Sequence, residues 1–130
     1  MKGKIVIGSL KGNIQNVGKD IVAAALKSTG FEVVDLGVNV SVAAFVDTVV
    51  KERAQVIAVS ISSEETMPLL KELMITLQRR KLRGDIRVVI GGSAVSERTC
   101  DAYGVDAYAK NALDCVRKVE ALLAEERGVN

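Results

Sequence analysis

The stretch "KGNIQNVGKD", Lys11 to Asp20, sets two glycines, Gly12 and Gly18, around two amides, Asn13 and Gln15. Gly18, near the expected helix start, would let another backbone or a ligand approach closely. The whole chain contains no histidine, so no imidazole is available as a ligand or as an acid-base group. "GNIQNVGK" lacks the GxxxxGK[ST] order of a P-loop and is not GxGxxG, which argues against a phosphate cradle of either kind. Cys100 and Cys115 have no activating neighbour in sequence and are expected to lie in helices, facing the core. No catalytic constellation is therefore visible in these residues.

Such a loop must be held by elements on both sides. Five short apolar, β-branched runs predict strands: "KIVIG" at 4–8, "FEVVDLG" at 31–37, "VIAVSI" at 56–61, "IRVVIGG" at 86–92 and "VDAYA" at 105–109. Between them, Val17, Ile21, Val22, Ala25 and Leu26, and again Ala43, Phe45, Val46, Val49 and Val50, recur at helical spacing. Gly30 reads as a helix stop, Ser41 as a cap on the second helix, and Pro68, the only proline, as a first-turn residue of the third. A last helix is expected from about Ala112 to Glu125. A regular βα alternation with short connections predicts an α/β fold: a single doubly wound, Rossmann- or flavodoxin-like, five-stranded parallel sheet with helices on both faces, spanning 1–130 as one domain. In such sheets ligands bind beyond the carboxyl ends of the strands. The informative loops fall there: "SLKGNIQNVG", "GVNVS", "SSEETMP", "GGSAVS" and "KNA".

Composition narrows the classes further. The formal net charge is +2 and the basic residues are scattered, which argues against nucleic acid. No run approaches the roughly 20 apolar residues of a membrane span, and the longest early apolar run is too short for a signal peptide. Two distant cysteines give neither a disulfide framework nor a zinc spacing, so a reducing, cytoplasmic setting is expected. Aromatics are only 3% while small aliphatics abound, as suits parallel strands covered on both faces.

With these elements in place, "KGNIQNVGKDIVAAALKSTGFEVVDLGVNVS" resembles the corrinoid-binding domain of cobalamin-dependent methyltransferases, of the methionine synthase and methanol- or methylamine-corrinoid protein type. That family's pattern reads roughly G-D-x-H-D-I-G-K-N-I-V, then G-F-E-V-x-D-L-G. "AVSISSEETMPLLKELM" is similar to its serine loop ending in T-M-P, and "VVIGGSAVSERTCDAYGVDAYAKNA" to its G-G-A-x-V and G-A-D-x-Y-A-x-D-A stretches. The resemblance implies cobalamin as cofactor, held with its nucleotide tail buried. It implies contacts from Gly12, Asn13, Gln15, Gly18, Ser60, Ser62, Glu64, Gly91, Gly92, Tyr108 and Ala109. Ser60 would hydrogen-bond the tail, and Gly91 with Gly92 would leave room for it, since side chains there would fill the space. Lys11, Lys19 and Lys110 come within reach of the cofactor or a partner, although loop lysines are ordinarily solvated.

The chain departs from the family where the metal would be bound. Its D-x-H-x-x-G falls on Asn13, Gln15 and Gly18. A carboxamide is a poor cobalt ligand beside imidazole, so Gln15 is expected to be a weak ligand or none. Without an imidazole to orient, a carboxylate at position 13 would have no partner, and Asn13 removes the cost of burying it. Cobalt lacking a protein nitrogen should be easier to reduce to Co(I). The implied role is a corrinoid carrier that is not itself a catalyst, served by methyl-donor and methyl-acceptor methyltransferase proteins and a reductive activase. With no helical bundle ahead of the first strand, the upper corrin face is expected to be exposed. Two alternatives stand beside this. One is a degenerate module that no longer binds cobalamin, in which Glu64 and Glu65 would repel a phosphate-bearing tail. The other is a small subunit of an adenosylcobalamin mutase. Glutamates at a helix start also favour its dipole and can simply face solvent.

Overall fold

The computed structural model describes residues 2–10 and 17–126. Over these, strands β1 (Lys4–Ser9), β2 (Glu32–Asp35), β3 (Val56–Ser60), β4 (Arg87–Gly91) and β5 (Ala107–Tyr108) alternate with helices α1 (Val17–Ser28), α2 (Val42–Lys51), α3 (Met67–Arg79), α4 (Glu97–Tyr103) and α5 (Ala112–Glu126). All strand pairs are parallel, in the order β2-β1-β3-β4-β5. The expected doubly wound α/β sheet is therefore present, and strand order reverses between β1 and β3. Among the described residues, no helix is long and apolar enough to cross a membrane.

Several helix boundaries have a local cause. Ser41 accepts a hydrogen bond from the Ala44 amide at 3.1 Å and starts α2. Gly30 follows α1 with φ of +106°, and Pro68 sits in the first turn of α3, where a missing amide costs nothing. A single 3-10 turn, Glu64–Thr66, precedes α3 and was not foreseen. α4 carries a reciprocal capping box between Ser96 and Thr99, and the Asn111 side chain accepts from the Asp114 amide at 2.8 Å at the start of α5.

The strands sort their side chains by alternation. Val6, Ile57, Val59, Val88 and Ile90 face α2 and α3 in one buried cluster. Ile5, Ile7, Val56, Ala58, Val89 and Ala107 face α1 and α5 in the other. The second face shapes the site.

Candidate functional site

Two lateral rows cross the α1/α5 face near the carboxyl ends of the strands. Register places Ile7, Ala58, Val89 and Ala107 side by side, and Ser9, Ser60 and Gly91 two residues further along. The outer row is small and polar, and the inner row is hydrocarbon. Above them α1 and α5 part to leave a cavity of about 500 Å³, a volume typical of small-molecule sites. Its floor includes Ile7, Ala58 and Val89, its walls Ile21 and Val22 from α1 and Ala112 and Cys115 from α5. Among the described residues, a Cβ added at Gly18 would meet no atom within 4 Å, so this glycine in the lining leaves open space beside them.

The loops after β3 and β4 form one unit at the cavity edge. The Ile61 amide donates to the Gly91 carbonyl at 2.8 Å, the Ala94 amide donates to the Ile61 carbonyl at 3.2 Å, and Ser93 Oγ donates to the Ser62 carbonyl at 3.3 Å. Gly92 turns at φ of +119°, and a Cβ there would lie 2.6 Å from the Ile61 carbonyl carbon and closer to its oxygen. Glycine is thus required at 92 by the neighbouring main chain itself, whatever occupies the cavity. At Gly91 a Cβ would lie 3.1 Å from the Ala109 carbonyl oxygen, a milder constraint.

Two lysines are in the lining, Lys110, which is exposed, and Lys19, which is 3% exposed. The Lys19 Nζ bonds both oxygens of Asp35, at 2.7 and 2.8 Å, and Asp20 at 2.8 Å. Burial alone would lower the ammonium's pKa, but hydrogen bonds and charge from Asp20 and Asp35 outweigh it and raise it. Cys115 is buried, and burial first, then Asp114, pushes its thiol up to about 11. It is a neutral, inert wall residue at ordinary pH.

The structure brings together Gly18, Ser60, Gly91, Gly92, Tyr108 and Ala109, all on the cavity. Tyr108 reaches it from the strand, while its ring packs against the α2/α3 cluster on the other face. Ser62 and Glu64 stand away from the lining: the Ser62 carbonyl is engaged by Ser93, and Glu64 is exposed in the 3-10 turn with Glu65. The glutamates therefore face solvent. Gly12, Asn13, Gln15 and Lys11 lie outside the described residues. Lys19 is not a solvated loop lysine but an internal ion-pair partner, because Asp35 at the end of β2 meets it. Lys110 is exposed. Cys115 faces the core as expected, whereas Cys100 is only half-buried against the α2/α3 cluster. The walls formed by Ile21, Val22, Ala112 and Cys115 escaped sequence reading, since they look like any apolar helix face.

Comparison with known proteins agrees with this geometry. Residues 3–122 match the B12 binding domain family. The trimethylamine corrinoid protein 2 of Methanosarcina acetivorans is 36% identical over 121 residues, which are 93% of this chain and 56% of that protein. A cobalamin-binding protein from Desulfitobacterium hafniense superimposes with a TM-score of 0.88 at 32% identity, covering 92% of this chain and 58% of that one. The methanol:cobalamin methyltransferase complex of Methanosarcina barkeri contains a chain that superimposes with a TM-score of 0.88 at 28% identity, covering 95% and 47%. The chain spans a little over half the length of the curated relatives it matches first.

Proposed function

From the premise that the chain belongs to the B12-binding domain family, we propose that it is a corrinoid carrier for methyl transfer. The observation that carries this reading is the apolar cavity between α1 and α5, opening at the carboxyl ends of the strands past Ser60 and Gly91. The residues fit an inserted ring: Ala58 and Ala109 present only methyl groups, and Gly18 leaves its side open. When bound, the corrinoid supplies the cobalt that takes a methyl group from one substrate and gives it to another.

This chain's residues hold and shield that group. Ser60 offers a hydroxyl to the nucleotide tail at the cavity mouth, and Ile7, Val22, Ala58 and Val89 exclude water below it. Lys19, neutralised by two carboxylates, fixes the first turn of α1 to the end of β2. Gln15 would give cobalt a weak ligand or none, and Asn13 would be its neutral companion. Methyl-donor and methyl-acceptor methyltransferases and a reductive activase are the partners this reading assigns, in the cytoplasm. The family resemblance of the complex from M. barkeri, in which a like chain occurs with a methyltransferase, supports the first of these.

The test is direct. Protein mixed with hydroxocobalamin and desalted should elute coloured, and a colourless protein would mean a degenerate module of the same fold. In the coloured protein, the double variant Asn13→Asp, Gln15→His should shift the visible spectrum towards nitrogen coordination. A parent spectrum already showing a protein nitrogen on cobalt would overturn the weak-ligand assignment of Gln15.

A further inference from the structure

We propose that the amino end of the sheet, opposite the cavity, is a docking face for a protein whose surface sets carboxylates around an apolar side chain. The inference goes beyond the carrier reading and stands without it, since it uses no residue of the cavity.

The ends of α2 and α3 and the connections that follow them read "KERAQ" at 51–55 and "RRKLRGDI" at 79–86. They lead into neighbouring parallel strands, with Val56 beside Arg87 and the Arg87 amide donating to the Gln55 carbonyl at 2.9 Å. Arg80 pairs with Asp47 of α2 at 3.3 Å and ties the two segments together. Arg83 is taken up inside the fold, by Asp106 at 2.9 Å and by the Ile86 and Gly104 carbonyls, and Glu52 is held by Lys4 at 3.3 Å. The side chains of Lys51, Arg53, Arg79 and Lys81 are exposed and have no hydrogen-bond or ion-pair partner among the described residues. Against these four cations the same segments set one carboxylate in the same condition, Asp85.

Two of these cations stand where the fold elsewhere uses glycine. α1 and α4 end on Gly30 and Gly104, at φ of +106° and +71°, whereas α2 and α3 end on Arg53 and Lys81, at φ of +55° and +60°. The closing hydrogen bonds are alike: the Arg53 amide donates to the Val50 carbonyl at 3.2 Å and the Lys81 amide to the Gln78 carbonyl at 3.0 Å, as the Gly30 amide does to Lys27 at 3.1 Å. A residue with a side chain is disfavoured in this left-handed conformation beside glycine. Cations in a last helical turn complement the helix dipole, which accounts for Lys51 and Arg79 but not for the backbone accepted at 53 and 81. Val50, 43% exposed, lies next to Lys51, while the other large apolar residues left exposed, Ile21, Val38 and Leu113, lie towards the carboxyl ends of the strands. An apolar side chain with a charged rim is the make-up of a protein interface. Neither segment contains an aromatic residue on which a base could stack, and Asp47 and Asp85 would repel a run of phosphates, so nucleic acid fits this face less well.

The experiment titrates the isotope-labelled chain at low salt with a glutamate-rich peptide carrying a leucine at its centre, followed by NMR. Amide shifts are expected to gather at 50–53 and 79–81. Shifts spread over lysines elsewhere, shifts at the carboxyl ends of the strands, or no binding at all would overturn the proposal. Tighter binding of a single-stranded oligonucleotide or of phosphatidylserine vesicles would overturn it too. The double variant Arg53→Gly, Lys81→Gly separates docking from helix capping. It should melt a few degrees higher than the parent, since glycine suits both backbone positions. It should also bind the peptide at least about threefold more weakly, each exposed ion pair being worth up to about fivefold. A variant that melts lower would show cations that serve their own helices, and a smaller change in affinity would show cations that meet no partner; either result overturns the proposal. Hydroxocobalamin added in excess should leave the peptide's dissociation constant unchanged, and competition between the two would put the peptide at the cavity instead.

Discussion

Replacing Gly92 by alanine should damage the fold, whereas the same change at Gly18 should not. The Gly92 main chain has φ of +119°, and an added Cβ would stand 2.6 Å from the Ile61 carbonyl carbon and 2.9 Å from its amide nitrogen. Comfortable carbon contacts are about 3.5 to 4.0 Å, so the chain must move by roughly 1 Å. Ile61 cannot yield cheaply, because its amide and carbonyl are tied to Gly91 and Ala94 at 2.8 and 3.2 Å. Losing these two bonds costs about 1 kcal/mol each, and the backbone conformation adds roughly 1 kcal/mol or more for a residue with a side chain. The sum is about 3 kcal/mol, or a melting temperature about 10 °C lower for a domain of this size. Gly18 lies in α1 outside the positive-φ region, and a Cβ there would meet nothing within 4 Å among the described residues. Its alanine variant should be as stable as the parent or gain about 0.5 kcal/mol. Thermal and urea unfolding followed by circular dichroism decide the matter. A Gly92→Ala protein within 1 kcal/mol of the parent, or a Gly18→Ala protein equally damaged, would refute the close-approach argument.

Lys19→Met should cost about 2 kcal/mol, less than for a fully buried pair because Asp35 remains 31% exposed and can rehydrate. The folded pKa of Lys19 is raised above 10.5, so its contribution is complete below that pH and fades as pH rises through the higher folded value. Parent and variant melting curves should therefore converge in strong alkali. Cys115 acts in the same direction: its thiol stays protonated in the fold while the unfolded chain ionises near 9.0, so stability drains between 9.0 and about 11. Cys115→Ala should lose less stability than the parent on going from pH 8 to pH 10, measured by urea midpoints. Asp106→Ala should cost about 2 kcal/mol, since its carboxylate accepts from the Val88 amide at 2.7 Å and pairs with Arg83 at 2.9 Å. Asp106→Asn, which keeps an accepting oxygen, should lose roughly half as much in the same unfolding assay.

The order and type of the elements were legible because local signals agree with the global fold. Val, Ile and Ala runs, a capping Ser41 and a first-turn Pro68 each read correctly by themselves. β5 shrinks from the expected 105–109 to Ala107–Tyr108 because it is an edge strand paired on one side alone. The gathering of Gly18, Ser60, Gly91 and Ala109 was legible once the loops were placed after the strands. Lys19 was not, because its burial depends on Asp35, sixteen residues away on another element. Gly92 misled differently: its double glycine reads as space for a ligand, yet its own neighbour Ile61 already demands it. Tyr108 shows the limit of strand-end reasoning, since alternation turns its ring to the opposite face.

The stitching between the loops after β3 and β4 bears on how this fold could be re-engineered. Because Ile61 is bonded to both Gly91 and Ala94, and Ser93 to Ser62, neither loop has an independent shape. A segment transplanted from a relative at 60–66 would meet a partner cut for a different backbone. Chimeras that exchange 60–66 together with 91–96 should fold, and single-loop exchanges should fail, so the two segments form one cassette despite the intervening α3.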